Sequence, residues 1–555
     1  MTRVPRTASP QPSSAALAQR RRVLQALVAL GAASTAPATR SGDAARAPEA
    51  CTSGAQWSQR LFIPGDRGYL ARVALGDAPL ALRATRSRGL PAQVVHGPLA
   101  YTLRSGAREF VNPTLVVRRG QRLRMTLDNA LDAPTITHWH GLSVDTNNDG
   151  GGLTLAAPGQ RYEYAFDVRN RGGLYWYHPH PHGASAGQVH DGLYGALEVH
   201  DDDEAALRSA LDLTPGSTEL MLVLQDRRDG RAYAASAMDT LHGYLGDDLC
   251  VNGVPCAWHG VATRLYRLRM LNACNARTLL LTFRTAGGTR VPFLLIGSDG
   301  GLLASPQRCE QAFFAAAERL DILLDLRAMP VGETVVLESL AFDAMHANVA
   351  PASRQGAEPV QPQHEHASTA SATVAPRTAS WPEGAPRPLL QFRVGERIDY
   401  TRRVPERLSA IEPIDVAGAR ERPLRLGFNK GRWRINDRVF AMGETPIEVA
   451  RDSTEVWLLR NYYTSMPHAM HLHGFQFEVR ERETSPDFVS SLKIDDRGRL
   501  ATDLGYKDTV LVWPGESVRL AIRFALPFPG EQIYMFHCHN LEHEDAGMML
   551  GVKVA

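Results

Sequence analysis

Along most of the chain, apolar and polar side chains alternate with a period of two over short runs. Thr114 to Val117, Arg122 to Leu127, Leu220 to Leu224, Leu265 to Leu271, Ile322 to Leu326, Val335 to Leu337, Val456 to Leu459, Val518 to Phe524 and Met549 to Val554 are such runs, punctuated by Gly, Pro, Asp and Asn. Successive side chains on a strand face opposite ways, so the runs predict half-buried strands, and so many of them predict an all-β chain of sandwiches. Long helical periodicity is scarce. One stretch recurs: "TLVVRRGQRLRMTLDN" ends at Asn129, nine residues before H-W-H-G, and "IEVARDSTEVWLLRN" ends at Asn461, ten residues before H-L-H-G. Each half then carries an aromatic-led pair, "YWYHPH" (175–180) and "YMFHCH" (534–539). A third copy, "GVATRLYRLRMLN", ends at Asn272 and is followed by A-C-N-A-R with no histidine pair. Three related sandwiches are expected, at 57–205, 206–345 and 388–555, the middle one without a histidine pair. The Ala/Pro/Gln/Ser/Thr-rich stretch 346–387 predicts a flexible linker or insertion.

Charge adds mainly exclusions. Sixty-one basic residues nearly balance fifty-nine acidic ones, without the one-sign stripe that would bind nucleic acid. No window reaches the ~18 consecutive apolar residues of a membrane-spanning helix. Residues 1–38 hold five arginines and no acid: Arg20-Arg21-Arg22, an apolar run from Val23 to Ala33, then Ala36-Pro37-Ala38. This is the layout of a cleaved export signal, the alternative being a retained basic arm. The paired arginines resemble a twin-arginine signal, which implies a bacterial periplasm. Without the five leader arginines, fifty-six basic residues face fifty-nine acidic ones, so the small positive balance belongs to the leader.

The histidines carry the chemistry. Nineteen scattered at random would form about 0.6 H-x-H pairs, whereas six are present, at 138/140, 178/180, 180/182, 364/366, 471/473 and 537/539. On a strand, residues i and i+2 share a face, so His537 and His539 should face one centre while Cys538 faces another. Cys538 has His543 and Met548 downstream, and His468 lies just before the 471/473 pair. A thiolate, two imidazoles and a thioether are the donors of a blue copper site, and four H-x-H pairs suit a multinuclear copper cluster. The 364/366 pair lies in the low-complexity stretch, where an exposed loop is expected.

The motifs "HWHG" (138–141), "WYHPH" (176–180), "HAMHLHG" (468–474) and "HCHNLEHEDAGM" (537–548) resemble those of the multicopper oxidase family, in its order, across about 500 residues. Bacterial laccases and cuprous oxidases are the most similar members, through "LNACNAR" (271–277), "SDGG" (298–301), "ERLDILLDL" (318–326), "YKDTV" (506–510) and "HEDAGMML" (543–550). The resemblance implies three cupredoxin-like Greek-key domains and four copper ions. It makes His468, Cys538, His543 and Met548 the type 1 ligands and His138 and His471 the type 2 ligands. His140, His178, His180, His473, His537 and His539 become those of the type 3 pair, while His182 has no ligand counterpart. It further implies one-electron oxidation of a donor coupled to reduction of dioxygen to water, with Asp149 and Glu544 supplying protons. Asp149 also reads as a turn residue, and Glu544 as a hydrogen-bond partner of a ligand histidine.

The substrate is less defined. Cuprous oxidases of this group carry a Met-rich insertion, but the corresponding stretch here, between about 342 and 387, holds only Met345, beside His346, with His364 and His366 further along. Met466 occupies a substrate-copper methionine position, while the nearby aspartate position is Thr464. A phenolic or aromatic-amine donor is therefore expected, then Cu(I), then a copper-free scaffold role, with a monomer as the working state. For the remaining cysteines, Cys250 with Cys256 and Cys274 with Cys309 are possible pairs that leave Cys51 single.

Overall fold

The computed structural model describes residues 57–65, 68–76, 78–88, 97–228, 232–346 and 381–555. The leader, Cys51 and the 364/366 pair lie outside them. The fold is three sandwiches of paired sheets. The first packs a six-stranded sheet (Arg161–Asp167, Arg122–Asn129, Leu80–Arg86, Leu99–Ser105, Arg108–Val111, Gly68–Tyr69) on a five-stranded one (Arg72–Ala74, Thr114–Arg118, Gly195–His200, Gly173–Pro179, Thr137–His140). The middle sandwich has sheets of six and seven strands, and the third has two of five. Arg122–Asn129 shows how the pattern drives this: Leu123, Met125, Leu127 and Asn129 point inward while Arg122 and Arg124 stay exposed.

The repeat has a structural cause. Asn129 Nδ2 donates to the carbonyls of Ala133 (2.9 Å) and Ala156 (2.8 Å). Asn272 Nδ2 reaches Arg277 (2.9 Å) and Phe314 (3.0 Å), and Asn461 Nδ2 reaches Met466 (2.8 Å) and Val512 (3.0 Å). Each buried asparagine thus ties two loops at the same end of its sandwich, satisfying carbonyls that would otherwise be buried without partners.

Glu219–Arg227 and Leu265–Asn272 are buried on both faces. One face belongs to the middle core; on the other, Met221, Val223 and Leu271 pack against Tyr69, Trp176 and Tyr194 of the first sandwich. Leu280 and Phe313 pack with Ala469, Leu511 and Trp513 of the third. The charged residues on the continuous strands are paired: Arg267 lies 2.7 Å from Glu204 and 3.0 Å from Glu219 and contacts Asp321.

Two sequence expectations change. Gln59–Arg60 pairs with Ala257–Ala262, and Arg387–Glu396 pairs with both Ala257–Ala262 and Thr334–Ser339. Both strands therefore belong to the middle sandwich, which moves the boundaries placed at 57 and 388. Partners this distant in sequence leave no mark on local alternation. The cysteine pairings also fail: Cys256 is disulfide-bonded, whereas Cys250, Cys274 and Cys309 are free, buried thiols.

Candidate metal centre

The strand Thr137–His140 runs antiparallel to Gly173–Pro179, with His138 opposite His178. In the third sandwich His468–Leu472 runs antiparallel to Gln532–Cys538, with His471 opposite His537. These two hairpin-like pairs face each other between the sandwiches. His138 stacks on His473 at 3.8 Å between ring centroids, and His140 on His471 at 3.7 Å. Trp139, between the two histidines of its pair, turns the other way into the first core.

The sequence-predicted donors gather into groups whose ligand atoms lie within 4.8 Å of one another: His140, His178 and His539; His180, His473 and His537; His138, His140 and His471; and, separately, His468, Cys538 and His543. All eleven, and Met548, are fully buried. Cys538 Sγ lies 3.4 Å from His468 Nδ1 and 3.6 Å from His543 Nδ1, so it faces away from the groups its neighbours join. Met548 shares the third core with Cys538, and its carbonyl accepts from the Cys538 amide at 3.1 Å. His182 joins no group and packs on Phe440 at 4.6 Å.

Hydrogen bonds orient the rings. His138 Nδ1 donates to the Asp149 carbonyl (2.7 Å), His178 Nδ1 to the Pro179 carbonyl (3.0 Å) and His471 Nδ1 to the Asp508 carbonyl (2.7 Å). On the Cys538 side, His543 Nε2 donates to the Leu241 carbonyl (3.0 Å) and His468 Nε2 pairs with Ser465 Oγ (3.0 Å). Trp433 covers both rings, 4.9 Å from His468 and 5.2 Å from His543.

Do these residues suit copper? His138 Nε2, His471 Nε2 and both nitrogens of His539 have no hydrogen-bond partner, although buried polar atoms are normally satisfied. Burial, with neighbouring imidazoles adding to it, holds His138, His140, His180, His473 and His537 well below the usual histidine range, and burial lowers His178 and His468 to about 3. They are neutral, with lone pairs free to ligate. Burial pushes the Cys538 thiol up, so a thiolate there needs a cation beside it. The donor set fits copper: soft thiolate and thioether with imidazole on one side, imidazole alone on the other.

Both predicted acids border the groups. Asp149 ends the short helix Thr146–Asp149, followed by Gly150 in the left-handed region, and its Oδ2 accepts from His473 Nδ1 at 2.8 Å. It is thus both a turn residue and a histidine partner. Glu544 lies 3.5 Å from His180 Nε2 and 3.3 Å from His537 Nδ1, and neither of its oxygens has a hydrogen-bond partner. Burial raises both carboxyls well above the usual range. Sequence reasoning missed Asp508, whose Oδ1 accepts from His140 Nε2 at 3.0 Å. The available signal was the charged Lys507-Asp508 pair beside the apolar strand Thr509–Val512. In the middle sandwich the equivalent loop does structural work: Asn275 Nδ2 donates to the Ala186 carbonyl (3.1 Å) and Glu542 (2.8 Å).

Comparison with known proteins agrees with this geometry. Family models described as multicopper oxidase match residues 103–204 and 418–555. A laccase of Bacillus subtilis is 29% identical over 75% of this chain and 79% of its own length. A cell division protein FtsP of Yersinia pestis is 26% identical over 88% of this chain and 97% of its own. The crystal structure of the McoA multicopper oxidase of Aquifex aeolicus superposes with a TM-score of 0.74 at 30% identity, covering 89% of this chain and 99% of that one. Sequence, fold and donor constellation together place the chain in the multicopper oxidase family.

Proposed function

We propose that the chain is a copper-dependent oxidoreductase of laccase type, which oxidises phenolic or aromatic donors one electron at a time and reduces dioxygen to water. The position of Cys538 carries this reading. Its sulfur belongs to the His468/His543 group, while the flanking His537 and His539 belong to two groups on the opposite face of the same strand. Donor and dioxygen can thus react at separate places joined through one residue on either side. Neither storage nor a scaffold role requires that bridge.

On this reading His468, Cys538, His543 and Met548 hold type 1 copper, and His138 and His471 hold type 2. His140, His178 and His539, with His180, His473 and His537, hold the type 3 pair, four ions in all. Copper, once bound, supplies the one-electron redox chemistry that the side chains lack. The chain supplies the rest. The carbonyls of Asp149, Pro179, Asp508 and Leu241 fix ring orientation, and Trp433 shields the His468 and His543 rings from water. Asp149 and Glu544, each against a ligand histidine, hold the protons that water formation consumes. The leader supports export to the periplasm.

For the donor, Met466 is 4% exposed within the third core, away from the surface where a thioether would capture soft ions. This favours phenols, as does the likeness to a laccase. One observation favours Cu(I) instead: half-buried His242, neither of whose inaccessible ring nitrogens is hydrogen-bonded, stacks on His346 at 5.6 Å, one residue beyond the Leu241 carbonyl that holds His543. Oxygen consumption by copper-reconstituted protein, with 2,6-dimethoxyphenol or Cu(I) as donor, separates the two. Phenol turnover without added copper, unchanged in His242→Ala, is expected. Turnover of Cu(I) alone, lost in His242→Ala, would assign cuprous oxidation. A blue, fully loaded protein that consumes oxygen with neither donor would leave the scaffold role.

A further inference from the structure

Arg319 begins the strand Arg319–Asp325 of the middle sandwich, which contributes none of the donors. Its side chain is 1% exposed, and every guanidinium nitrogen is engaged. Nε donates to the Leu174 carbonyl (3.2 Å), Nη1 to the Ala317 carbonyl (2.7 Å) and Asp508 Oδ1 (2.9 Å), and Nη2 to the Asp299 carbonyl (3.2 Å) and Asp508 Oδ2. Leu174 lies on the strand that carries His178, and Asp508 directly precedes the strand Thr509–Val512. One side chain therefore ties all three sandwiches. Beyond it, Lys507 Nζ lies 3.0 Å from Asp299 and 3.1 Å from Glu318, completing a buried set of three carboxyls and two cations.

Asp508 passes this anchorage to the histidines. Its carboxylate takes Nε2 of His140 (3.0 Å) and its carbonyl takes Nδ1 of His471 (2.7 Å). A neutral imidazole carries one N–H, so these bonds select opposite tautomers for two stacked rings. His140 presents Nδ1 to its group, 3.4 Å from His178 Nε2, whereas His471 presents Nε2. Buried ion pairs are no better for stability than well-packed apolar side chains, so stability alone does not account for this one. Only a guanidinium grips both carboxylate oxygens and three carbonyls at once; an ammonium cannot.

We propose that Arg319 is a positioning residue for the copper-holding cluster: through Asp508 it sets the orientation and tautomer of His140 and His471, giving the copper-free middle sandwich control over geometry between the other two. This rests on the copper reading above. The test compares copper-reconstituted wild type, Arg319→Lys, Asp508→Asn and, as a control, Arg482→Lys, an equally buried arginine paired with Asp503 and Glu516. After dialysis against a chelator, Arg319→Lys and Asp508→Asn should keep the blue absorption, lose at least half of the non-blue copper and change the hyperfine splitting of the non-blue EPR signal. Arg482→Lys should leave that signal unchanged. Full non-blue copper with unaltered EPR in both variants would overturn the proposal, as would loss of blue and non-blue copper together. A wild type that takes up no copper would instead sink the copper reading. A second measurement needs neither variant nor metal: histidine ¹⁵N NMR of the metal-free wild type should place the proton on Nε2 of His140 and Nδ1 of His471. The reverse placement for either ring would overturn the proposal.

Discussion

Eight imidazoles, none exposed, share the space between the first and third sandwiches, and two more join one thiol in the core of the third. Burial holds His138, His140, His180, His473 and His537 well below the usual histidine range, and carbonyls on the outer nitrogens of His138, His178, His471 and His543 decide which lone pair faces in. Asp149 touches this set twice, through its carbonyl to His138 and its carboxyl to His473. Asp149→Asn keeps the carbonyl and the shape but removes the ionisable group. It should slow reoxidation by dioxygen by roughly 10²-fold, within the usual range for general acid catalysis, while reduction of the blue centre by substrate stays nearly intact. Stopped flow separates the two half-reactions, and equal slowing of both would count against proton delivery. The gathering of these histidines and Cys538 was legible because H-x-H on a strand and Cys between two histidines have a chemistry tied to spacing. Asp508 and Arg319 were not, because a lone Asp or Arg in a strand-rich sequence reads the same whether it meets solvent or a histidine from another sandwich.

Strands and loops follow local rules more closely than their partnerships do. The asparagine that ends each repeated strand was visible as a pattern, and its job of tying two loops explains why the same residue stands at 129, 272 and 461. The end of the predicted insertion, 346–387, departed from expectation. Residues 381–387 lead into a strand of the middle sheet, with Trp381 stacked under Arg277 at 3.7 Å and Glu383 accepting from the Thr278 amide at 2.7 Å. Burial, only partly offset by Arg277, raises the Glu383 carboxyl from 4.5 to about 7. The folded state therefore binds the proton more tightly than the unfolded chain. This stability is fully present below the unfolded value and is lost as pH rises through the folded one, by about 3 kcal/mol at 1.36 kcal/mol per unit. Glu383→Gln should flatten the fall in melting temperature between pH 5 and pH 8 relative to wild type. An identical slope in the two proteins, by scanning calorimetry, would show that Glu383 does not carry it.

The molecule as a whole is held by contacts between sandwiches as much as within them. The middle sandwich packs apolar faces on both neighbours, Asp545 accepts from the amides of Ser185 (2.9 Å) and Ala186 (3.0 Å) across the first and third, and Arg319 ties all three. Eight of the donor histidines lie where the first and third sandwiches meet, so a metal held there stabilises their association and not just one fold. Ions bound only by the folded chain, at a thousand times their dissociation constant, contribute about 4 kcal/mol per site. Chelation should therefore lower the melting temperature, readdition of copper should restore it, and an unchanged transition would mean that the donors hold no ion in the folded protein.

Alternation of side chains, the threefold repeat and the spacing of His and Cys were enough for the all-β class, the three sandwiches and the residues that gather into candidate metal groups, because each is a local property of strands. The boundaries at 57 and 388, the cysteine pairing and the anchoring of His140 and His471 depended on which distant strands came together. Pairing of Gln59–Arg60 with Ala257–Ala262, and the meeting of Arg319 with Asp508, are set by the packing of whole sheets, and a free energy spread over many side chains in three sandwiches leaves no motif in any one of them.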